Sequence, residues 1–419
     1  MTCVVAHNDP TVDPADDPAV VPLLEPHDGV PPVVTDATAL ATTVAAFAAG
    51  HGPVAVDAER ASGYRYGQRA YLVQMRRAGA GTVLIDPVAV PDLSSLSAAL
   101  CGTEWVLHAA SQDLACLGEV GLVPDQVFDT ELAARLLGYS RVGLAAVVAR
   151  VLGLGLAKEH SAVDWSTRPL PTDWLRYAAL DVEVLIDVRD TMADELEAAG
   201  KAQWAAEEFE AVRTAVPAPP RPDQWRRVSG LHDVSGRRNL AVVRELWTVR
   251  DAQGQSRDIA PGRVLPDRAI IAAAQALPRS TAELRTLPVF SGRRTSRRVG
   301  LWQAAIDRAL ALPVDQLPPV HGPKSDAPPP VRGWRDRDPA AAARITAARS
   351  ALAALSTAHQ VPVENILAPD LVRRLCWSPP TLATPAAVAE ALAAGGARPW
   401  QIALTTDLLA AALTPSSSG

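Results

Sequence analysis

Two proline-rich interruptions constrain this chain more than any other feature. Val216-Pro-Ala-Pro-Pro-Arg-Pro222 and Leu317-Pro-Pro-Val-His-Gly-Pro323, the latter extended by Pro328-Pro-Pro330, divide its 419 residues into three stretches. Proline fixes φ and lacks an N–H, so neither a helix nor a central strand runs through such a segment. A chain of this length also exceeds what one hydrophobic core usually serves. The reading is therefore modular, with a main domain at 33–215, linkers at 216–230 and 313–333, and smaller domains at 231–312 and 334–414. Residues 1–32, rich in Pro, Asp and Val without periodicity, are expected to be disordered.

Within 33–215, Val54–Asp57, Tyr71–Met75, Thr82–Ile85 and Trp105–His108 are β-rich runs bounded by Gly, Pro or charge. Helical periodicity occupies about 37–49, 94–100, 111–120, 130–138, 143–152 and one long stretch from 172 to about 198. Strands first and helices after them predict an α/β domain on a mixed sheet. The two later modules read as all-helical, and they share a weak repeat. In it Asp258-Ile-Ala-Pro261 corresponds to Ile366-Leu-Ala-Pro369, each after a helix and before a shorter one.

Charge separates the modules as well. Residues 33–215 carry 14 Lys and Arg against 24 acids, whereas 231–312 carry 14 Arg against 7 acids. An acidic module that handles a polyanion needs cations, and an attached basic module would supply them; a solvated surface on each half is the plainer reading. No apolar run approaches the roughly 20 residues that span a bilayer. The start of the chain lacks the pattern of a secretory signal, so a cytoplasmic, membrane-free protein is expected. Cys3, Cys101, Cys116 and Cys376 form no C-x-x-C pair and read as free thiols.

Four carboxylates carry the chemistry. In Val54-Ala-Val-Asp-Ala-Glu59 the strand period of two puts Asp57 and Glu59 on one face, where like charges need a cation between them or a raised pKa. A D-x-E triplet alone also fits an exposed strand end. Along the helix from Pro171, the apolar stripe Trp174, Ala178, Leu185, Val188 is interrupted by Asp181, with Tyr177 one turn before it. An ionised acid on a buried stripe needs a partner, whether an Arg or a metal. Asp113, in Ser111-Gln-Asp113, sits beyond the carboxyl end of a predicted strand, where α/β folds bind ligands. It would serve equally as an acid in the first turn of a helix.

Val56-Asp-Ala-Glu59, His108-Ala-Ala-Ser-Gln-Asp-Leu114 and Tyr177-Ala-Ala-Leu-Asp181 resemble, in order, the three motifs of the DEDDy exonucleases. Asp164-Trp-Ser-Thr-Arg-Pro-Leu170 resembles the ribonuclease D family in particular, and both helical modules look like the HRDC domains that follow the nuclease there. Ala58 and Arg60 depart from that pattern, where a Thr and often an aromatic stand. The resemblance implies a ribonuclease H-like exonuclease domain followed by two HRDC-like domains. It implies 3′→5′ hydrolysis of RNA with a free 3′ end, such as tRNA precursors, and release of nucleoside 5′-monophosphates. Two Mg²⁺ or Mn²⁺ ions about 4 Å apart would serve the reaction. Asp57, Glu59 and Asp181 would hold one ion, Asp57 would reach the second, Asp113 would act through the second ion's water shell, and Tyr177 would orient the attacking water.

Arg293, Arg294, Arg297 and Arg298 form the densest basic cluster and are expected to grip phosphates without reading sequence, unless they belong to a solvated loop. A monomer is expected. The readings left standing beside an exoribonuclease are a DNA-directed 3′→5′ exonuclease and a non-catalytic nucleic-acid-binding adaptor. A helicase is excluded by the lack of a G-x-x-x-x-G-K-[ST] phosphate loop.

Overall fold

The computed structural model describes residues 20–156, 160, 162–216, 219, 222–292, 297–322 and 326–414. The first module contains strands β1 (Val21–Leu23), β2 (Val33–Val34), β3 (His51–Arg60), β4 (Ala70–Ala78), β5 (Gly81–Ile85), β6 (Glu104–Leu107), β7 (Gln126–Asp129) and β8 (Leu154–Leu156). Its helices are α1 (Ala37–Ala49), α2 (Ser94–Ala99), α3 (Leu114–Glu119), α4 (Thr130–Leu136), α5 (Leu144–Leu152), α6 (Thr172–Glu183), α7 (Leu185–Ala198) and α8 (Ala202–Arg213).

Six strands form one mixed sheet in the order β2-β5-β4-β3-β6-β7. The pairs β5–β4 and β4–β3 are antiparallel, whereas β2–β5, β3–β6 and β6–β7 are parallel. Strand alternation sends Val54, Val56 and Ala58 into a core with Phe47, Leu96, Trp105 and Leu117. Ala55 and Val106 face the other way, onto Val182, Leu185 and Val188.

Several expectations are corrected. Residues 21–23 are a strand paired in parallel with 154–156, so the segment expected to be disordered is ordered at least from there, while residues 1–19 lie outside the described residues. The helix expected from 172 to about 198 breaks at Val184 (φ −100, ψ −9). The break lets α6 lie against β3, β4 and β5 while α7 turns to pack on α4 and α5. Strand β7 and helix α8 were not anticipated.

The second module comprises α9 (Arg237–Arg257), α10 (Pro261–Val264), α11 (Asp267–Ala276), α12 (Thr281–Thr286) and α13 (Val299–Ala311). The third comprises α14 (Trp334–Arg337), α15 (Pro339–His359), α16 (Val363–Ile366), α17 (Pro369–Trp377), α18 (Pro385–Ala394) and α19 (Pro399–Leu413). The expected linkers are partly core, for Trp225, Val228 and Leu317 are buried with the second module. The repeat is present in a different register. Asp258 and Gln360, both left-handed, end the 21-residue helices α9 and α15. The four-residue helix at Pro261 therefore matches the one at Val363, not the helix at Pro369. The shared Ala-Pro dipeptide opens different helices in the two copies.

The third module has no separate core. Trp334, Ile345, Leu352, Leu392 and Leu409 belong to one continuous apolar cluster with Ala55, Val106, Val188 and Phe209 of the first. Among the described residues no helix is long and apolar enough to cross a membrane.

Candidate active site

Asp57 and Glu59 lie at the carboxyl end of the central strand β3. Strand β6 runs beside β3 at Val54–Ala55 and then leaves it, which opens that edge at the two acids. On the opposite edge, β4 places Gln74 in register with Asp57, and its amide donates to Asp57 Oδ2 at 2.7 Å. Helix α6, lying across β3 to β5, delivers Asp181 from above. Carboxylate oxygens of Asp57, Glu59 and Asp181 all fall within 4.8 Å of one another.

Asp113 is not one of that triplet. It heads α3 but makes no side-chain cap bond, so the first-turn reading leaves its buried carboxylate unused. Its Oδ1 lies 3.6 Å from the Arg60 guanidinium, which stands where the family often has an aromatic.

The electrostatics are those of acids gathered without enough positive charge. Burial, then the carboxylates of Asp57, Asp181 and Asp113, pushes Glu59 well above the usual carboxylate range. Burial and Asp57 do the same to Asp181, against the nearby Tyr177 phenol. Asp113 is raised well above that range by burial and by Asp57, against Arg60. Asp57 is raised by burial, against the Ala58 N–H and Gln74. Such a group favours a cation among its oxygens. Hard oxygen donors on this spacing fit Mg²⁺ or Mn²⁺, and a buried Gln74 Oε1 with no hydrogen-bond partner among the described residues adds a further free acceptor on β4.

Tyr177 stands one helical turn before Asp181 on α6, and its phenol is raised by burial and then by Asp181, Glu59 and Asp57. A phenol titrates at about 10 to begin with, so the Tyr177 hydroxyl keeps its proton at neutral pH. Its ring meets His160 edge-on at 5.9 Å and leans on Trp165 at 6.5 Å. A cavity of about 370 Å³ opens beside Tyr177 and Asp181, walled by Leu23, Leu24, Leu156 and His160.

Of the basic cluster, Arg293 and Arg294 lie outside the described residues. Arg297 is exposed, and Arg298 donates to Gln253 Oε1 at 2.8 Å. Gln74 is a functional neighbour that the sequence signals only as a Gln inside a buried strand. Asp129 is another, signalled by its place before Thr-Glu at a helix start, which marks an N-cap.

A mixed sheet with a helix-borne acid brought onto two strand-borne acids, and a protonated tyrosine beside them, defines a metal-assisted nuclease. Residues 31–197 match the family described as 3′-5′ exonuclease, 239–306 the HRDC domain, and 327–413 a 3′ to 5′ exonuclease C-terminal domain. The last is a different description from the second HRDC-like domain expected from the repeat. Ribonuclease D of Nitrobacter hamburgensis is 36% identical over 53% of this chain and 58% of its own length, so the chain spans little more than half of that relative. Ribonuclease D of Escherichia coli is 31% identical over 63% of this chain and 71% of its own length. Its crystal structure, titled an exoribonuclease involved in structured RNA processing, aligns with TM-score 0.65 and 27% identity, covering 91% of this chain and 98% of that one. A crystal structure of a protein from Bifidobacterium adolescentis aligns with TM-score 0.87 and 38% identity, covering 94% and 99%. The chain belongs to the ribonuclease D family of 3′→5′ exoribonucleases.

Proposed function

We propose that the chain trims RNA from a free 3′ end, one nucleoside 5′-monophosphate at a time, in the 3′-end maturation of tRNA precursors, and that it works as a cytoplasmic monomer. The observation that carries the chemistry is the triplet of carboxylates within 4.8 Å, with Tyr177 one helical turn before Asp181 on the same helix. Asp57, Glu59 and Asp181 would hold one divalent ion, Asp57 would also reach a second, and Asp113 would act through the water shell of the second ion. Bound Mg²⁺ or Mn²⁺ supplies activation of the attacking water and neutralisation of the leaving 3′ oxygen. Tyr177, held protonated, donates a hydrogen bond that orients the water rather than abstracting its proton. The cavity beside Tyr177 and Asp181 receives the terminal nucleotide; its size suits a small ligand. RNA as the substrate rests on the family; DNA is the competing substrate.

The test is 5′-labelled single-stranded RNA and DNA with Mg²⁺ or EDTA. A ladder shortening from the 3′ end, stronger on RNA and lost in EDTA, is expected. Asp57→Ala and Asp181→Ala are expected to abolish it while the circular-dichroism spectrum is unchanged. Near wild-type turnover by either variant at saturating Mg²⁺ would overturn the assignment.

A further inference from the structure

The buried acid Asp129 has no place in the mechanism above, yet it is the most heavily bonded carboxylate near the site. It ends β7 and caps α4, accepting the N–H of Glu131 (2.9 Å) and Leu132 (3.2 Å) at Oδ1. It also reaches across to the chain leaving β6: Oδ1 accepts the N–H of Ala109 at 3.1 Å, and Oδ2 that of Ala110 at 2.8 Å. Only 1% of Asp129 is exposed. A serine or threonine caps a helix about as well without the cost of burying a charge, but has one oxygen and no reach to a second element. The carboxylate is explained by the bridge, not by the cap.

The bridge holds an unfavourable bend. Ala109 is left-handed at φ 61, ψ 52, a region that L-residues other than Asn and Asp seldom visit. From it a 3-10 turn, Ala110–Gln112, runs directly to Asp113. Gln112 N–H bonds Ala109 O at 2.9 Å and Asp113 N–H bonds Ala110 O at 3.1 Å. The next residue, Thr130, adds a hydroxyl bond to Leu107 O at 3.2 Å and meets His108 Nδ1 at 2.8 Å. The end of β6 and the whole turn are thus fastened from β7 and α4.

We infer that Asp129 is a positioning residue for the hydrolysis. Its bridge to the Ala109 and Ala110 amides fixes the bend that presents Asp113 to the second ion, an inference that rests on the proposed role of Asp113. Asp129 touches neither substrate nor ion.

Asp129→Asn keeps the cap to α4 but sets an NH₂ against the Ala110 N–H, and Asp129→Ser keeps the cap and lacks the bridge. Both are expected to lower kcat on a short RNA at least tenfold with KM within about twofold. Both are expected to weaken Mn²⁺ binding at one of two sites, read by calorimetry on the metal-free protein, and to speed amide exchange at Ala109 and Ala110. Ala109→Gly, which removes the left-handed penalty, should restore part of the kcat in the Asp129→Ser background. Wild-type kcat and Mn²⁺ affinity in both variants would overturn the inference. So would a fall in melting temperature with kcat unchanged, or failure of both to fold, either of which leaves Asp129 purely structural. Should the wild-type chain show no metal-dependent hydrolysis, the functional proposal fails, and the Mn²⁺ titration still decides the role of Asp129.

Discussion

The two helical modules hold the nuclease domain in opposite ways. The HRDC domain grips the loop between β3 and β4 with polar groups. Asp258, left-handed at the end of α9, accepts the N–H of Tyr66 and Gly67 at 3.1 Å each and the Tyr71 hydroxyl at 3.2 Å. Those bonds hold its carboxyl below the usual range although burial opposes them. Tyr66 donates to Asp251, and Arg263 lies over the Tyr64 ring at 3.8 Å while donating to Gly63 O. The C-terminal module instead continues the nuclease core. Trp400 stacks on Trp204 at 4.6 Å and donates to Glu208, and Lys201 donates to both Leu136 O and His359 O at 2.6 Å. Polar contacts at a partly wet surface each contribute little net stability, whereas a shared apolar core is cooperative. One module is latched on; the other is folded in.

The contrast can be broken at its strongest point first. Trp400→Ala should cost about 3–5 kcal/mol, with the nuclease and C-terminal modules melting as one transition in calorimetry. Two separate transitions would mean that the common core is not one cooperative unit. Asp258→Ala should cost about 1–3 kcal/mol, seen as faster amide exchange at Tyr66 and Gly67 with the exchange of α8 unchanged; slowed or unaltered exchange at those amides would remove the latch. Smallest is Arg263→Gln, at about 0.5–1 kcal/mol. Its loss should shrink further when added to Asp258→Ala, since both act on one loop. Full additivity of the two would show that the contacts are independent.

How far the residues alone reached follows the same division. Local periodicity was readable: the bounds of α1, the shared face of Asp57 and Glu59, and the odd placement of Asp181 in an apolar stripe all depend on a few neighbouring positions. What depended on distant partners was not. Strand β7, Gln126-Val-Phe-Asp129, is only four residues long, and it becomes a strand by pairing with β6. Val21–Leu23 needs Leu154–Leu156. The break at Val184 answers to two different surfaces that α6 and α7 cover, and no Pro or Gly marks it. Within the site, the triplet was foreseeable from spacing, but the offset of Asp113 and its neighbour Arg60 were not, because both follow from a left-handed alanine that no propensity would place there.

The core common to the first and third modules makes the HRDC domain an insertion. The chain leaves the nuclease at α8 and returns to the same helix through Trp400, so the foldable unit is discontinuous in sequence. Gly138 shows how tight the return is: a Cβ there, at φ +74, would stand 2.3 Å from Gln360 O. Deleting everything after α8 removes part of the nuclease itself, while excising the intervening helices and joining the ends would leave its core whole.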